Sequence, residues 1–275
     1  MRDVTAIIAG RGALPALVAD SLGRQGAPFH IFELDGFAMD NPAGLPVERF
    51  ILERLALLFN RMHDLGVTQV VFAGAVARAA LDPERIDAQT AALLPQILPA
   101  LQQGDDATLR AILQLFTEDG FQIAGAHEIA PDLLPEPGIL TASQPGPVDE
   151  TDAARAAEIV RGLGQLDLGQ GAVVADGLCL AVETLPGTDA MLDWVADVAG
   201  KKRPIGRGGV FLKAPKPGQE RRIDLPAIGP DTLARAARAG LNGVVIEASG
   251  VMILNRAETV AEADRRGLFL WVRPA

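Results

Sequence analysis

The sequence holds a single cysteine, Cys179, and three histidines, His30, His63 and His127, far apart along 275 residues. One thiol excludes an intramolecular disulfide framework and a cysteine-rich zinc site, and it suits a reducing compartment, the cytoplasm by default. Histidines without ligand spacing argue against zinc hydrolysis, and no serine sits in a nucleophile-elbow motif, which argues against serine-triad chemistry. Positive charge is in deficit, with 25 Lys plus Arg against 35 Asp plus Glu and a net charge of −10. That balance speaks against a nucleic-acid partner held by diffuse positive charge. No window reaches the ~18 consecutive apolar residues that a membrane-spanning helix needs. The opening run to Gly10 contains Asp3 and falls short of the ~7–15-residue apolar region of a signal peptide. Repeats of fixed period and low-complexity tracts are also missing.

The composition, 49% hydrophobic and 22% charged, is that of a globular chain. Its apolar runs alternate with amphipathic segments. Val4 to Ala9 reads as a buried strand that stops at Gly10-Arg11-Gly12 before a helical pattern through Leu17, Val18 and Leu22. Pro28 to Leu34 and Val67 to Ala73 read as further strands. Leu52, Leu55, Leu58, Met62 and Leu65 lie on one side of the helix between them. This alternation predicts an α/β fold, with a Rossmann-like N-terminal domain over residues 1–134 built on a parallel sheet covered on both faces. Prolines at 131, 135, 137, 145 and 147 mark a linker over 135–148. A second α/β domain is expected over 149–275, with strands near 172–174, 179–183, 209–213, 243–247 and 268–272. Two such domains invite a ligand cleft between them.

Several short patterns carry candidate chemistry. Gly10-x-Gly12, between strand and helix, would let a backbone approach phosphate at a helix N-terminus. Ligand contact, a tight structural turn and a dinucleotide site of a nucleotide-dependent oxidoreductase all stay open there. The dinucleotide reading wants a small residue where Pro15 stands, although Glu33 lies near the distance of a ribose-binding acid. Arg78 follows a buried strand, where a guanidinium could fork onto phosphate or simply be solvated. Asp105 and Asp106 precede a helix and suit either an N-cap or a magnesium–phosphate group. Gly187-Thr188-Asp189 links a strand to a helix, Thr188 as a cap or as part of a phosphate cradle. The segment from Lys213 to Pro226 mixes Lys213, Lys216, Arg221 and Arg222 with Glu220 and Asp224. That blend suits metal-assisted phosphoryl chemistry as well as a solvated loop.

Those five, with one more at Gly169, make six patterns in order: Ile8-Ala-Gly10-Arg-Gly12-Ala-Leu14-Pro15, Gly74-x-Val76-x-Arg78, Gly104-Asp105-Asp106-x-x-Leu109-Arg110, Gly169-Gln170-Gly171-x-Val173-Val174, Glu183-x-x-x-Gly187-Thr188-Asp189, and Lys216-Pro-x-Gln219-x-x-Arg222-x-Asp224-Leu-Pro226. Together they resemble the UDP-2,3-diacylglucosamine pyrophosphatase family of lipid A biosynthesis, in the form unrelated to calcineurin-like phosphoesterases. Where that family usually reads Thr-Ile-Gly after Leu-Pro, this chain has Ala227-Ile228-Gly229. The resemblance implies a Mg²⁺-dependent hydrolase that splits UDP-2,3-diacylglucosamine into UMP and 2,3-diacylglucosamine 1-phosphate, with the proline-rich connector as a hinge. On that footing Asp224 is the catalytic acid that binds the metal or positions water, with Asp105 and Asp106 as further metal ligands. Gly10, Gly12, Arg78, Gly187, Thr188, Asp189, Lys213, Lys216 and Arg222 are assigned to the substrate. Transient contact with the cytoplasmic face of the inner membrane is expected, and a homodimer is the default assembly. The rivals are a nucleotide-dependent oxidoreductase and a module that binds nucleotide sugar or lipid without consuming it.

Overall fold

The alternation of apolar strands and amphipathic helices resolves into two main sheets, one in each of two compact units. A computed structural model describes residues 3–76, 81–101, 105–202 and 208–274, and the side chains of all of these except 97–101 and 105–107. The first unit comprises Met1–Pro131 together with Glu220–Asp224; the second comprises Asp132–Gln219 and Leu225–Ala275.

In the first unit the elements run β1 (Val4–Ala9), α1 (Leu14–Arg24), β2 (Phe29–Leu34), β3 (Glu48–Phe50), α2 (Leu55–Asp64), β4 (Val67–Ala73), α3 (Ala88–Leu101), α4 (Asp105–Glu118), β5 (Gln122–Ala124) and α5 (Ala126–Ile129). The sheet order is β3-β2-β1-β4-β5, and every pair is parallel. β1 is buried from Thr5 onward, as a central strand covered on both faces must be. Phe116 packs edge-on against Phe59 and Phe72 in the core beneath α2 and α4. The Rossmann-like expectation therefore holds, including the bounds of β1 and β4.

The strand order reverses between β1 and β4, and there the two following loops lock together. Arg11 N–H donates to the Ala75 carbonyl at 2.9 Å, and Ala75 N–H donates back to the Arg11 carbonyl at 2.9 Å. This approach requires glycine on both sides. A Cβ on Gly10 would lie 2.7 Å from the Ala75 carbonyl oxygen, and one on Gly74, whose φ is +94°, would lie 2.5 Å from the Gly10 carbonyl oxygen. Both obstacles are backbone. Gly74→Ala is accordingly expected to destabilise the protein by ~2–4 kcal/mol through clash and left-handed strain, read as a lower urea midpoint.

The second unit contains β6 (Gly138–Ile139), α6 (Pro147–Gln165), β7 (Gly171–Ala175), β8 (Leu178–Val182), α7 (Gly187–Asp197), β9 (Val210–Lys213), β10 (Ala227–Ile228), α8 (Pro230–Arg238), β11 (Gly243–Glu247), β12 (Met252–Ile253), α9 (Arg256–Arg265) and β13 (Phe269–Arg273). Its main sheet has the order β6-β13-β11-β9-β7-β8, with β13, β11 and β9 parallel and the other pairs antiparallel. α6 covers one face, burying Ala153, Ala156 and Val160; residues of α7 and α8 fill the core on the other. The β7–β8 turn places Asp176 and Gly177 at φ 52° and 77°, as a tight hairpin favours. Asp152, buried on α6, accepts both of their N–H groups at 2.9 and 2.7 Å. Within the proline-rich stretch, β6 pairs with β13 and Pro147 opens α6.

Candidate functional site

Strand register assembles a buried polar chain in the second unit. Gly171 of β7 lies opposite Lys213 of β9, and its carbonyl accepts the Glu183 N–H, just past β8, at 2.8 Å. Lys213 and Glu183 thus flank one glycine, whose missing side chain leaves room: a Cβ there would lie 2.6 Å from Glu183 Oε2. Gly169 is equally required, since its Cβ would strike the Glu183 carbonyl. Thr188, in the first turn of α7, bridges the two charges. Its hydroxyl donates to Glu183 Oε2 at 3.0 Å and accepts from Lys213 Nζ at 2.6 Å, while Nζ and Oε2 stand 3.9 Å apart. Both charged side chains are less than a tenth exposed, and each offsets part of the other's buried charge. Thr188 is not a helix cap: Pro186 occupies that place and α7 has no side-chain cap. The capping expectation fails because the hydroxyl is engaged by the Lys213–Glu183 pair.

Lys216 lies beyond β9, where Lys216 Nζ donates to Asp167 at 2.6 Å and its backbone N–H donates to the Gln219 side chain at 2.8 Å. Gln219 in turn faces the Gln170 side chain at 3.4 Å. Gly169-Gln170-Gly171, Glu183, Thr188, Lys213, Lys216 and Gln219, drawn from three separate sequence patterns, meet at one edge of one sheet. Glu183, Gly169, Gln170, Gly171 and Gln219 stand in the sequence patterns but carry no assigned role there. For Glu183 the pattern marks the position, while its partner across the sheet is not visible along the chain. Asp189 turns elsewhere, to Arg235 at 3.5 Å in an ion-pair group shared with Asp193 and Arg238.

Asp224 belongs to the first unit, in a short turn where its N–H donates to the Glu220 carbonyl at 3.1 Å. Arg222 chelates Glu220 at 2.9 and 2.8 Å, which holds that carboxyl below the usual range, with Arg110 of α4 adding to the effect. Arg110 and the 220–224 turn are therefore neighbours. Gly125, at the end of β5, lets the chain pass closely: a Cβ there would lie 3.4 Å from the Arg222 Cα and 2.6 Å from the His127 ring. His127 Nδ1 is buried without a hydrogen-bond partner, and burial, reinforced by nearby Arg221 and opposed by Glu128, pushes its pKa down. The ring is thereby kept neutral near pH 7. His127 had no sequence signal, because its isolation along the chain is undone only by folding.

The glycine turn after β1 is largely accounted for by packing. Gly10 N–H is bonded to the Ala73 carbonyl at 2.8 Å and Arg11 N–H to Ala75, so neither donor faces a ligand. Gly12, at φ +93°, has open space where a Cβ would sit. Glu33 accepts from Met39 N–H at 2.9 Å and pairs with Arg49 at 3.2 Å, so both its oxygens are engaged and a ribose role is disfavoured. Arg78 lies outside the described residues, as do the side chains of Asp105 and Asp106 at the start of α4.

Family models for the LpxI N-terminal domain and the LpxI C-terminal domain match residues 4–133 and 136–271. The chain belongs to the LpxI family. It is 41% identical over 266 residues to the UDP-2,3-diacylglucosamine pyrophosphatase LpxI of Caulobacter vibrioides, covering 96% of this chain and 95% of that protein. A crystal structure of isoflavone reductase aligns with a TM-score of 0.27 at 13% identity, over 100% of this chain and 79% of that one, a likeness too loose to carry an argument. Within this LpxI family member, the family models divide the chain between 133 and 136. The compact units divide it at Pro131 and reassign Glu220–Asp224. Among the described residues no helix is long and apolar enough to cross a membrane.

Proposed function

We propose that this LpxI protein hydrolyses the pyrophosphate of UDP-2,3-diacylglucosamine to UMP and 2,3-diacylglucosamine 1-phosphate, acting at the cytoplasmic face of the inner membrane. The observation that carries this reading is the Glu183–Thr188–Lys213 chain at the sheet edge beside Lys216, together with near-full-length identity to a pyrophosphatase of that name. A diphosphate needs fixed positive charge and oriented donors more than covalent help. Lys213 and Lys216 supply the charge, and the first turn of α7 beyond Gly187 supplies N–H groups. Asp224 orients the attacking water; the water's oxygen bonds to one phosphorus as the bond from that phosphorus to the bridging oxygen breaks, and the water's proton is released to solvent as the two phosphate products form. Arg222, already chelated by Glu220, contributes positive charge beside Asp224.

Among the described residues no three His, Cys, Asp or Glu side chains converge to form a metal cage. Mg²⁺ often binds through one or two carboxylates with substrate phosphates and its own waters. In that mode Asp224 would hold the ion, with Asp105 and Asp106 as the other proposed carboxylates. Such an ion supplies neutralisation of the charge developing on the departing phosphate.

The test is chromatographic. Purified protein with UDP-2,3-diacylglucosamine and Mg²⁺ is expected to release UMP, and EDTA is expected to suppress it. Tight substrate binding without UMP would favour a non-catalytic module, and saturable NAD(P) binding without UMP would favour the oxidoreductase.

A further inference from the structure

Two loops at the same edge as Lys213 and Lys216 carry leucines that face water. Leu185 stands at the tip of a turn closed by the Gly187 N–H to the Thr184 carbonyl at 2.8 Å, and it is 92% exposed. Leu166 and Leu168, at the end of α6, are 69% and 51% exposed. Their loop is held by Asp167 at φ 54° and by the Leu168 N–H bond to the Leu163 carbonyl at 3.0 Å, a helix-ending turn that fixes the side chains it presents. The loops touch, since Gly169 packs directly on Glu183. Turn tips are ordinarily polar, and nothing in the core calls for these leucines. Beside them, on the α6 face of the edge, lies a cavity of about 210 Å³ whose walls include Leu212 and Ile246 and whose charged members are Arg161, Lys216, Arg273 and Glu247. Lys216 is paired with Asp167 of the leucine loop at 2.6 Å, so with Asp167 counted three cations stand against two acids, a small positive excess on a chain whose net charge is −10.

We infer that the Leu166–Leu168 and Leu185 loops are the surface with which the protein meets an anionic phospholipid leaflet, the leucines entering the acyl boundary and the neighbouring cations meeting the headgroups. The inference rests on the proposed lipid-linked substrate. Apolar side chains beside basic ones are the composition that binds such an interface, and the surface adjoins the cations assigned to the diphosphate. A substrate anchored by its acyl chains would thus be met at the membrane plane, without leaving it completely.

The experiment pairs co-sedimentation with two activity assays, on wild type and on a Leu168→Ser/Leu185→Ser variant. Both changes lie on exposed side chains and leave the fold intact, checked by melting temperature. Wild type is expected to sediment with vesicles of equal parts phosphatidylglycerol and phosphatidylcholine, and much less with phosphatidylcholine alone. The variant should partition at least about tenfold less, the effect of removing leucine-sized burial. UMP release should fall in parallel for vesicle-embedded substrate while staying at the wild-type rate for detergent-dispersed substrate. Equal sedimentation of the variant, failure of wild type to sediment, or indifference to lipid charge would each overturn the inference. Absence of UMP from detergent-dispersed substrate would instead defeat the proposed function, and the sedimentation result is read independently of it.

Discussion

An Asp224→Ala protein is expected to lose at least ~10³-fold in kcat for UMP release, the scale on which removing a positioned acid–base or electrostatic group acts. Melting temperature, measured in parallel, separates loss of chemistry from loss of fold. Backbone bonding to the Glu220 carbonyl and the Arg222–Glu220 chelate help to hold the turn that carries Asp224. KM is expected to change far less than kcat, because a residue that orients water acts on the transition state rather than on ground-state binding. Near-normal turnover in this variant would remove Asp224 from the mechanism and leave the cations without a partner in it.

The second large effect concerns Lys213 and Glu183. Lys213→Met leaves the Glu183 carboxylate buried without a cation and is expected to cost ~3–5 kcal/mol of stability. It should also cost ~10²–10³-fold in kcat/KM through lost stabilisation of phosphate charge. Those two losses are separable. The double variant Glu183→Gln/Lys213→Met removes both buried charges and keeps a group that Thr188 can donate to, so it should recover most of the stability and none of the activity. Thermal unfolding and the UMP assay, run on both proteins, make the comparison. Recovery of activity along with stability would mean that Lys213 is a structural ammonium, and the substrate would have to find its positive charge elsewhere.

These expectations depend on features of very different legibility. β1, β4 and β11 have the bounds their sequences imply, because a short, predominantly apolar and β-branched run between turn residues is best placed in the middle of a parallel sheet. The short strands β3, β5, β6, β10 and β12 left no trace, since two or three residues are too few to display a period. The motif residues were found by type and order, yet their partners were not. Thr188 has the look of a helix cap and is instead the link between two buried charges. Gly10 has the look of a phosphate turn, and its N–H groups and its missing side chain are accounted for by the neighbouring loop at Ala75. His127 looks isolated, and folding sets it against the turn that carries Asp224.

Local sequence determined the kinds of element, their approximate extents and the set of side chains able to handle a diphosphate, because hydrophobic period and turn chemistry act over a few residues. The tertiary structure decided which charges are buried together, that Glu183 rather than a chain neighbour compensates Lys213, and that Glu220–Asp224 belongs with the first unit although its flanks belong with the second. Those outcomes follow from strand register and chain path. A charged group's partner is set by what lies across the sheet from it, and that distance is invisible along the chain.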